Sequence, residues 1–285
     1  MKKENKNWGM ALIMIIYVLC FVFRGFEYMI LRTDRTIVGE AFIHKLMGIV
    51  LLFWALRYLC IKGREIGFTT VRVGKNIAYG LLLGLLVFIP AYGIELFMQY
   101  ASGNEPSLNF FVTSYGIQGN LGNHKALLFY FLCIMGNIIN VIMEEGVFRG
   151  LFLKIAEGKY SFFKAAVLSS VLFGFWHIAA PLRSFLDGEM QLFSACMAML
   201  SLGVMSGVMG LKLCMLTKIF GNLWVPMADH FFNNTIINLL HITALSGADQ
   251  MQVMRIALAQ TLSFMVVLFL YWKTKARQKT TFREA

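Results

Sequence analysis

Apolar residues run along this chain in continuous stretches of about twenty, the length of helix that crosses a ~30 Å hydrocarbon layer. Eight such segments lie at roughly 9–31, 41–61, 76–99, 126–152, 162–182, 190–211, 216–240 and 253–272. Backbone amides in lipid must be satisfied within the segment or in a closed barrel. The apolar positions are contiguous and do not alternate at every second residue, which selects helices over a barrel. The expected fold is all-α: a polytopic transmembrane helix bundle with about eight spans, in a single integral membrane domain over 1–285. The links are short except 101–124, rich in Gly, Asn and Ser, which reads as a loop. No internal period of the kind that marks inverted-repeat transporters is present.

Composition sharpens this picture. The chain is 58% hydrophobic and 14% charged, with a mean hydropathy of +0.67, which leaves no room for a soluble domain. The net charge of +11 is explained by the positive-inside rule, so no nucleic-acid partner is expected. Lys2, Lys3, Lys6, Lys62, Arg64, Arg72, Lys75, Lys154, Lys159, Lys164, Lys212, Lys218 and the basic tail from Lys273 to Arg283 fall on one side. Only Arg32, Arg35, Lys45, Lys125, Arg183 and Arg255 fall on the other, which places both termini in the cytoplasm of a multi-pass cell-membrane protein. The basic-then-apolar start lacks a small-residue cleavage site and reads as a retained first span. Cys20, Cys60, Cys133, Cys196 and Cys214 lack metal-type spacing and read as small buried hydrophobes. Trp8, Trp54 and Trp272 sit near span ends, as aromatic-belt anchors do.

Ionisable groups in mid-span are tolerated where they pair or line a wet cavity, so the search for chemistry is a search for polar groups there. In Glu144-Glu145-x-x-x-Arg149, helical spacing pairs Glu145 with Arg149 and turns Glu144 away by about 100°, leaving it available as a base. Phe173-x-x-x-His177 puts an imidazole in the fifth span, with Gly174 admitting a neighbouring helix. His230-x-x-x-Asn234 aims an imidazole and an amide into one space, where either could donate to an oxyanion and His230 could bind a metal. Pro226 is expected to bend that span. Each cluster alone also reads as helix packing. Jointly they supply a base, an oxyanion donor and a proton carrier, the needs of amide hydrolysis. Elsewhere, Arg24 and Glu27 read as a pair, Glu95 as wet or paired, and His44, His124 and His241 as interfacial. Asp229 carries no assigned role.

The ordered triplet over roughly 126–240 resembles the signature motifs of the CPBP family, the type II CAAX prenyl endopeptidase-like and bacteriocin-processing intramembrane proteases, also called Abi. The resemblance implies that Glu144 activates water, with His177 assisting. It also implies that His230 and Asn234 polarise the scissile carbonyl while Glu145 and Arg149 shape the site. A divalent metal such as zinc, held by Glu144, His177 and His230, and a metal-independent glutamate mechanism both stay open. The implied partners are the lipid bilayer and a membrane-associated peptide or protein, as in CAAX-type, bacteriocin or signal-peptide maturation. A non-catalytic member of the same fold, acting as a bacteriocin-immunity factor or as a regulator of a sensor kinase or cell-envelope enzyme, is the alternative.

Overall fold

The computed structural model describes residues 4–36, 40–114, 121–245 and 247–284. Among them the chain forms helices α1 (Glu4–Phe26), α2 (Ile43–Tyr58), α3 (Val73–Ala101) and α4 (Leu127–Glu144). A π-helical stretch, Glu145–Phe152, joins α4 to α5 (Leu153–Glu157). Then follow α6 (Phe162–Trp176), α7 (Ala179–Leu186), α8 (Leu192–Phe220), α9 (Trp224–Leu239) and α10 (Gln252–Glu284). Among the described residues six stretches are long and apolar enough to cross a membrane: Trp8–Leu31, Val73–Ala101, Leu127–Glu157, Phe162–Leu186, Leu192–Phe220 and Gln252–Ala276. The other two expected spans are α2 and α9, 16 residues each. At 1.5 Å per residue they rise about 24 Å, short of the hydrocarbon thickness. The protein is thus an all-α, multi-pass membrane bundle.

Three sequence expectations about its organisation change. The sixth segment does not end near 211: α8 continues to Phe220, stops at Gly221 in the left-handed region (φ 64°), and α9 begins at Trp224. Asn222 Oδ1 accepts the backbone N–H groups of Trp224 (2.9 Å) and Val225 (3.3 Å), capping the new helix. Pro226 therefore sits in the first turn, where an N–H has no intrahelical acceptor, and it does not interrupt the span. Second, the 101–124 link carries strands β1 (Ser107–Phe110), β2 (Val112–Ser114) and β3 (Leu121–His124). Antiparallel to β1 runs β4 (Leu240–Ala244), which in turn pairs with β5 (Gly247–Ala248), while β2 pairs with β3. Residues 115–120 of that link lie outside the described residues. Third, the fifth span is broken: α6 ends at Trp176 and α7 starts at Ala179, so His177 stands at a helix terminus.

Several residues read as surface charges are buried partners. Lys45 is in α2 and pairs with Glu40; Lys212 is in α8 and pairs with Asp229 (2.6 Å); Arg255 pairs with Glu95 and Asp249 (both 2.8 Å). His44 and His241 are likewise buried, not interfacial: Nδ1 of His44 lies 2.6 Å from Glu27 and Nδ1 of His241 lies 2.5 Å from Asp249. Glu27 does not pair with Arg24; it accepts the N–H groups of Phe42, Ile43 and His44 at the start of α2. Burial in a low-dielectric interior strongly favours such pairing, because each group alone would cost several kcal/mol. Among the orientation residues, Lys2 and Lys3 lie outside the described residues, as do the side chains of Lys6, Arg277, Lys279 and Arg283. Of the cysteines, Cys20, Cys133 and Cys214 are buried, whereas Cys60 and Cys196 are exposed.

The crossing of α6 and α8 sets how closely the His177 motif approaches the rest of the bundle. A methyl group built on Gly174 would stand 2.5 Å from the carbonyl oxygen of Gly203 and 3.6 Å from the Cα of Gly207. Gly174→Ala should therefore lower stability by about 1–3 kcal/mol through overpacking against backbone that cannot yield. Thermal unfolding in detergent checks this, and an unchanged midpoint would contradict the close crossing.

Candidate active site

Glu144 closes α4, and the eight positions after it lie in the widened turns of the π-helix. Both motif carboxylates are buried, and they play different structural parts. Glu144 is held by two N–H donors, the Asn140 amide on Oε2 (3.2 Å) and the Trp176 indole on Oε1 (2.9 Å). Glu145 pairs with Arg149 (3.3 Å), as the four-residue spacing predicts, and accepts from His230 Nδ1 (2.8 Å). Arg149 lies over the Phe173 ring, its guanidinium carbon 3.8 Å from the centroid. The same ring meets His177 edge-on at 4.7 Å and His230 at 6.1 Å between centroids. Phe173 is thus the packing hub of all three motifs.

Both imidazoles are oriented by what their Nδ1 atoms bond. His177 Nδ1 donates to the Phe173 carbonyl (2.9 Å) and His230 Nδ1 to Glu145, so each presents Nε2 away from its anchor. His230 Nε2 stands 3.7 Å from Glu144 Oε2, too far for a direct hydrogen bond and close enough for one water to bond both. Glu144, His177, His230 and Asn234 line one cavity of about 690 Å³. Glu145 and Arg149 lie behind this wall, supporting His230.

Asn234 is aimed by a chain of side chains that sequence reasoning does not find. Lys212 donates to Gln260 Oε1 (2.9 Å), Gln260 Nε2 donates to Asn233 Oδ1 (2.8 Å), and Asn233 Nδ2 donates to Asn234 Oδ1 (2.9 Å). An ammonium can only donate, so it fixes the sense of every amide after it. The last amide has its oxygen occupied and keeps its NH₂ for the cavity. Asp229 of α9 pairs with the Lys212 that starts the chain. Asn140 and Trp176 were also missed. A partial signal existed: Asn140 is one helical turn before Glu144, and Trp176 adjoins His177.

A metal held by Glu144, His177 and His230 is the natural further question, since both Nε2 atoms are available. Among the described residues, no three His, Cys, Asp or Glu side chains converge closely enough to hold an ion. No step below passes through such a centre.

Residues 126–236 match the family model described as type II CAAX prenyl endopeptidase Rce1-like. The chain is also 28% identical over 178 residues to the Bacillus subtilis (strain 168) protein named "Putative membrane peptidase YdiL". That match covers 61% of this chain and 62% of the relative, so the chain spans less than two thirds of the relative's length. Glu144, Glu145, Arg149, His177, His230 and Asn234 all lie inside the matched segment. The segment that carries all three motifs is therefore similar to the type II CAAX prenyl endopeptidases, as the ordered motif triplet implies.

Proposed function

We propose that this protein is an intramembrane endopeptidase that hydrolyses a peptide bond in a membrane-associated protein or peptide, with Glu144 as general base. The observation that carries the reading is a carboxylate held by two N–H donors and facing, across one cavity, two oriented imidazoles and an amide NH₂. Glu144 takes a proton from a water lying between it and His230, and the hydroxide attacks the scissile carbonyl carbon. The carbonyl oxygen becomes an oxyanion that accepts from the Asn234 NH₂ and from protonated His230 Nε2. The Glu145 carboxylate at Nδ1 supports that imidazolium, and His177 holds the water. As the C–N bond breaks, the proton on Glu144 passes to the leaving amine, yielding a carboxylate and an amine.

The cavity suits an apolar chain: Leu202 and Val208 of α8 and Ile256 and Phe264 of α10 form part of its wall. One end is polar, with Arg32, Arg35, Asp187 and Glu189 joined by ion pairs, among them Arg32–Asp187 (2.9 Å) and Arg35–Asp187 (3.1 Å). Among the described orientation residues, Lys45 and Arg255 on the side opposite the termini are held in buried pairs, against Lys212 alone on the side of the termini, so the excess of free basic residues stays with the termini and supports a cytoplasmic placement for them. The mouth then opens on the non-cytoplasmic face. Mass spectrometry of membrane peptides from cells with the wild-type or the Glu144→Ala protein tests the function. A cleavage product should disappear with Glu144→Ala, and identical peptide profiles would count against the protease.

Cleavage by the purified protein is expected to survive treatment with a zinc chelator. A loss of activity reversed by added zinc would overturn the metal-free mechanism.

A further inference from the structure

Five Lys and Arg side chains are buried among the described residues: Arg24, Lys45, Arg149, Lys212 and Arg255. Four have a carboxylate partner, in Glu40, Glu145, Asp229 and the Glu95–Asp249 pair respectively. Arg24 has none among the described residues. It lies within the first span, is 5% exposed, and its Nε has no hydrogen-bond partner. Its guanidinium carbon stands 4.4 Å from the Trp176 ring centroid and 5.1 Å from that of Tyr28, and the side chain lines the same cavity as Glu144 and His177.

Ring faces offset only part of the cost of taking a guanidinium out of water. Among the described residues every other buried cation is neutralised, so an unpaired one at the cavity wall is a vacancy for a negative charge brought from outside the chain. Glu144 does not fill it, being held by Asn140 and Trp176 and forming no ion pair with Arg24. We propose that Arg24 forms an anion subsite of the cavity, which receives a carboxylate of the bound peptide, from its C-terminus or from an acidic side chain. The planar fork of a guanidinium matches a carboxylate with two parallel N–H donors, which a lone ammonium cannot reproduce. The subsite rests on the protease reading only in naming a peptide as its occupant. It assigns a binding role to α1, which lies outside the matched segment 126–236.

The test is binding by the purified full chain in detergent, measured calorimetrically with three peptides and with their integrity followed by mass spectrometry. The peptides are acetyl-Leu-Leu-Phe as the free acid, the same peptide as its carboxamide, and acetyl-Leu-Glu-Phe carboxamide. At least one acidic peptide should bind about tenfold or more tighter than the neutral one, the range expected for charged hydrogen bonds. Preference for the free acid alone identifies a C-terminal carboxylate; preference for the glutamyl peptide alone identifies a side chain. Arg24→Gln should erase the preference, and Arg24→Lys should keep only a part of it. Equal binding of all three peptides by the wild-type protein would overturn the subsite, as would a preference that survives in Arg24→Gln. Should Arg24→Gln fail to fold, undiminished preference in Arg24→Lys overturns the fork. Acid preference without hydrolysis of any peptide would count against the protease and leave the subsite standing; hydrolysis without preference would do the reverse.

Discussion

Glu144→Gln is expected to lower kcat by about 10³-fold or more while the protein still inserts and folds. The amide keeps the shape of the carboxylate and can still accept from the Trp176 indole, so packing around α4 and α6 is retained. What it cannot do is take a proton from water or return one to the leaving amine, and general acid–base groups contribute roughly 10²–10⁴-fold each. Glu144 performs both transfers, which puts its loss at the upper end. Glu145→Gln should behave differently. That change weakens the support of His230 and leaves Arg149 buried without its counter-charge, so stability falls together with activity. The comparison is made on purified proteins by steady-state cleavage and thermal unfolding. Wild-type cleavage by Glu144→Gln would end the case for this base.

Asn234→Ala is expected to cost about 10²–10³-fold in kcat with little change in KM, the signature of a donor used mainly in the transition state. The relay behind Asn234 makes a less obvious companion prediction. Replacing Lys212 alone would leave Asp229 as a buried unpaired charge and confound the result. In Lys212→Met/Asp229→Leu both charges go, and exchanging a buried ion pair for apolar residues is often neutral or stabilising. Such a protein should fold as well as the wild type, yet lose kcat by about tenfold or more, because nothing forces Gln260, Asn233 and Asn234 to point the same way. Full activity in the double variant would show that the amide is oriented by something else.

The motif residues were legible because each pair lies within one helical turn, and a four-residue spacing fixes a shared face whatever the tertiary fold does. Glu145 and Arg149 pair as that rule requires, even though the turn between them widens. The helical, membrane-spanning character of the chain was legible from hydropathy, but the break at His177 and the helix boundary at Gly221 were not. What was not legible depends on contacts between distant parts of the chain. Lys212 looks like one more loop cation in a sequence, because the helix boundary at Gly221 is set by a left-handed residue and an Asn cap, not by hydropathy. Its partners lie on two other helices, at Asp229 and Gln260. His44 and His241 likewise sit near helix ends in sequence and deep inside in space. The pairing of β1 with β4 joins residues such as Asn109 and His241, and nothing in either segment announces the other.

The widened turns at Glu145–Phe152 have a consequence for how this site tolerates change. Each π-helical turn takes in an extra residue, so the chain beyond it is rotated relative to where a regular helix continuing from α4 would carry it. Arg149 reaches the Phe173 face from that rotated position. The chemistry therefore depends on the length of this stretch as much as on its letters. A single-residue deletion between Glu145 and Arg149 would let the backbone relax to the common helix and swing the guanidinium off the ring, with every motif side chain still present.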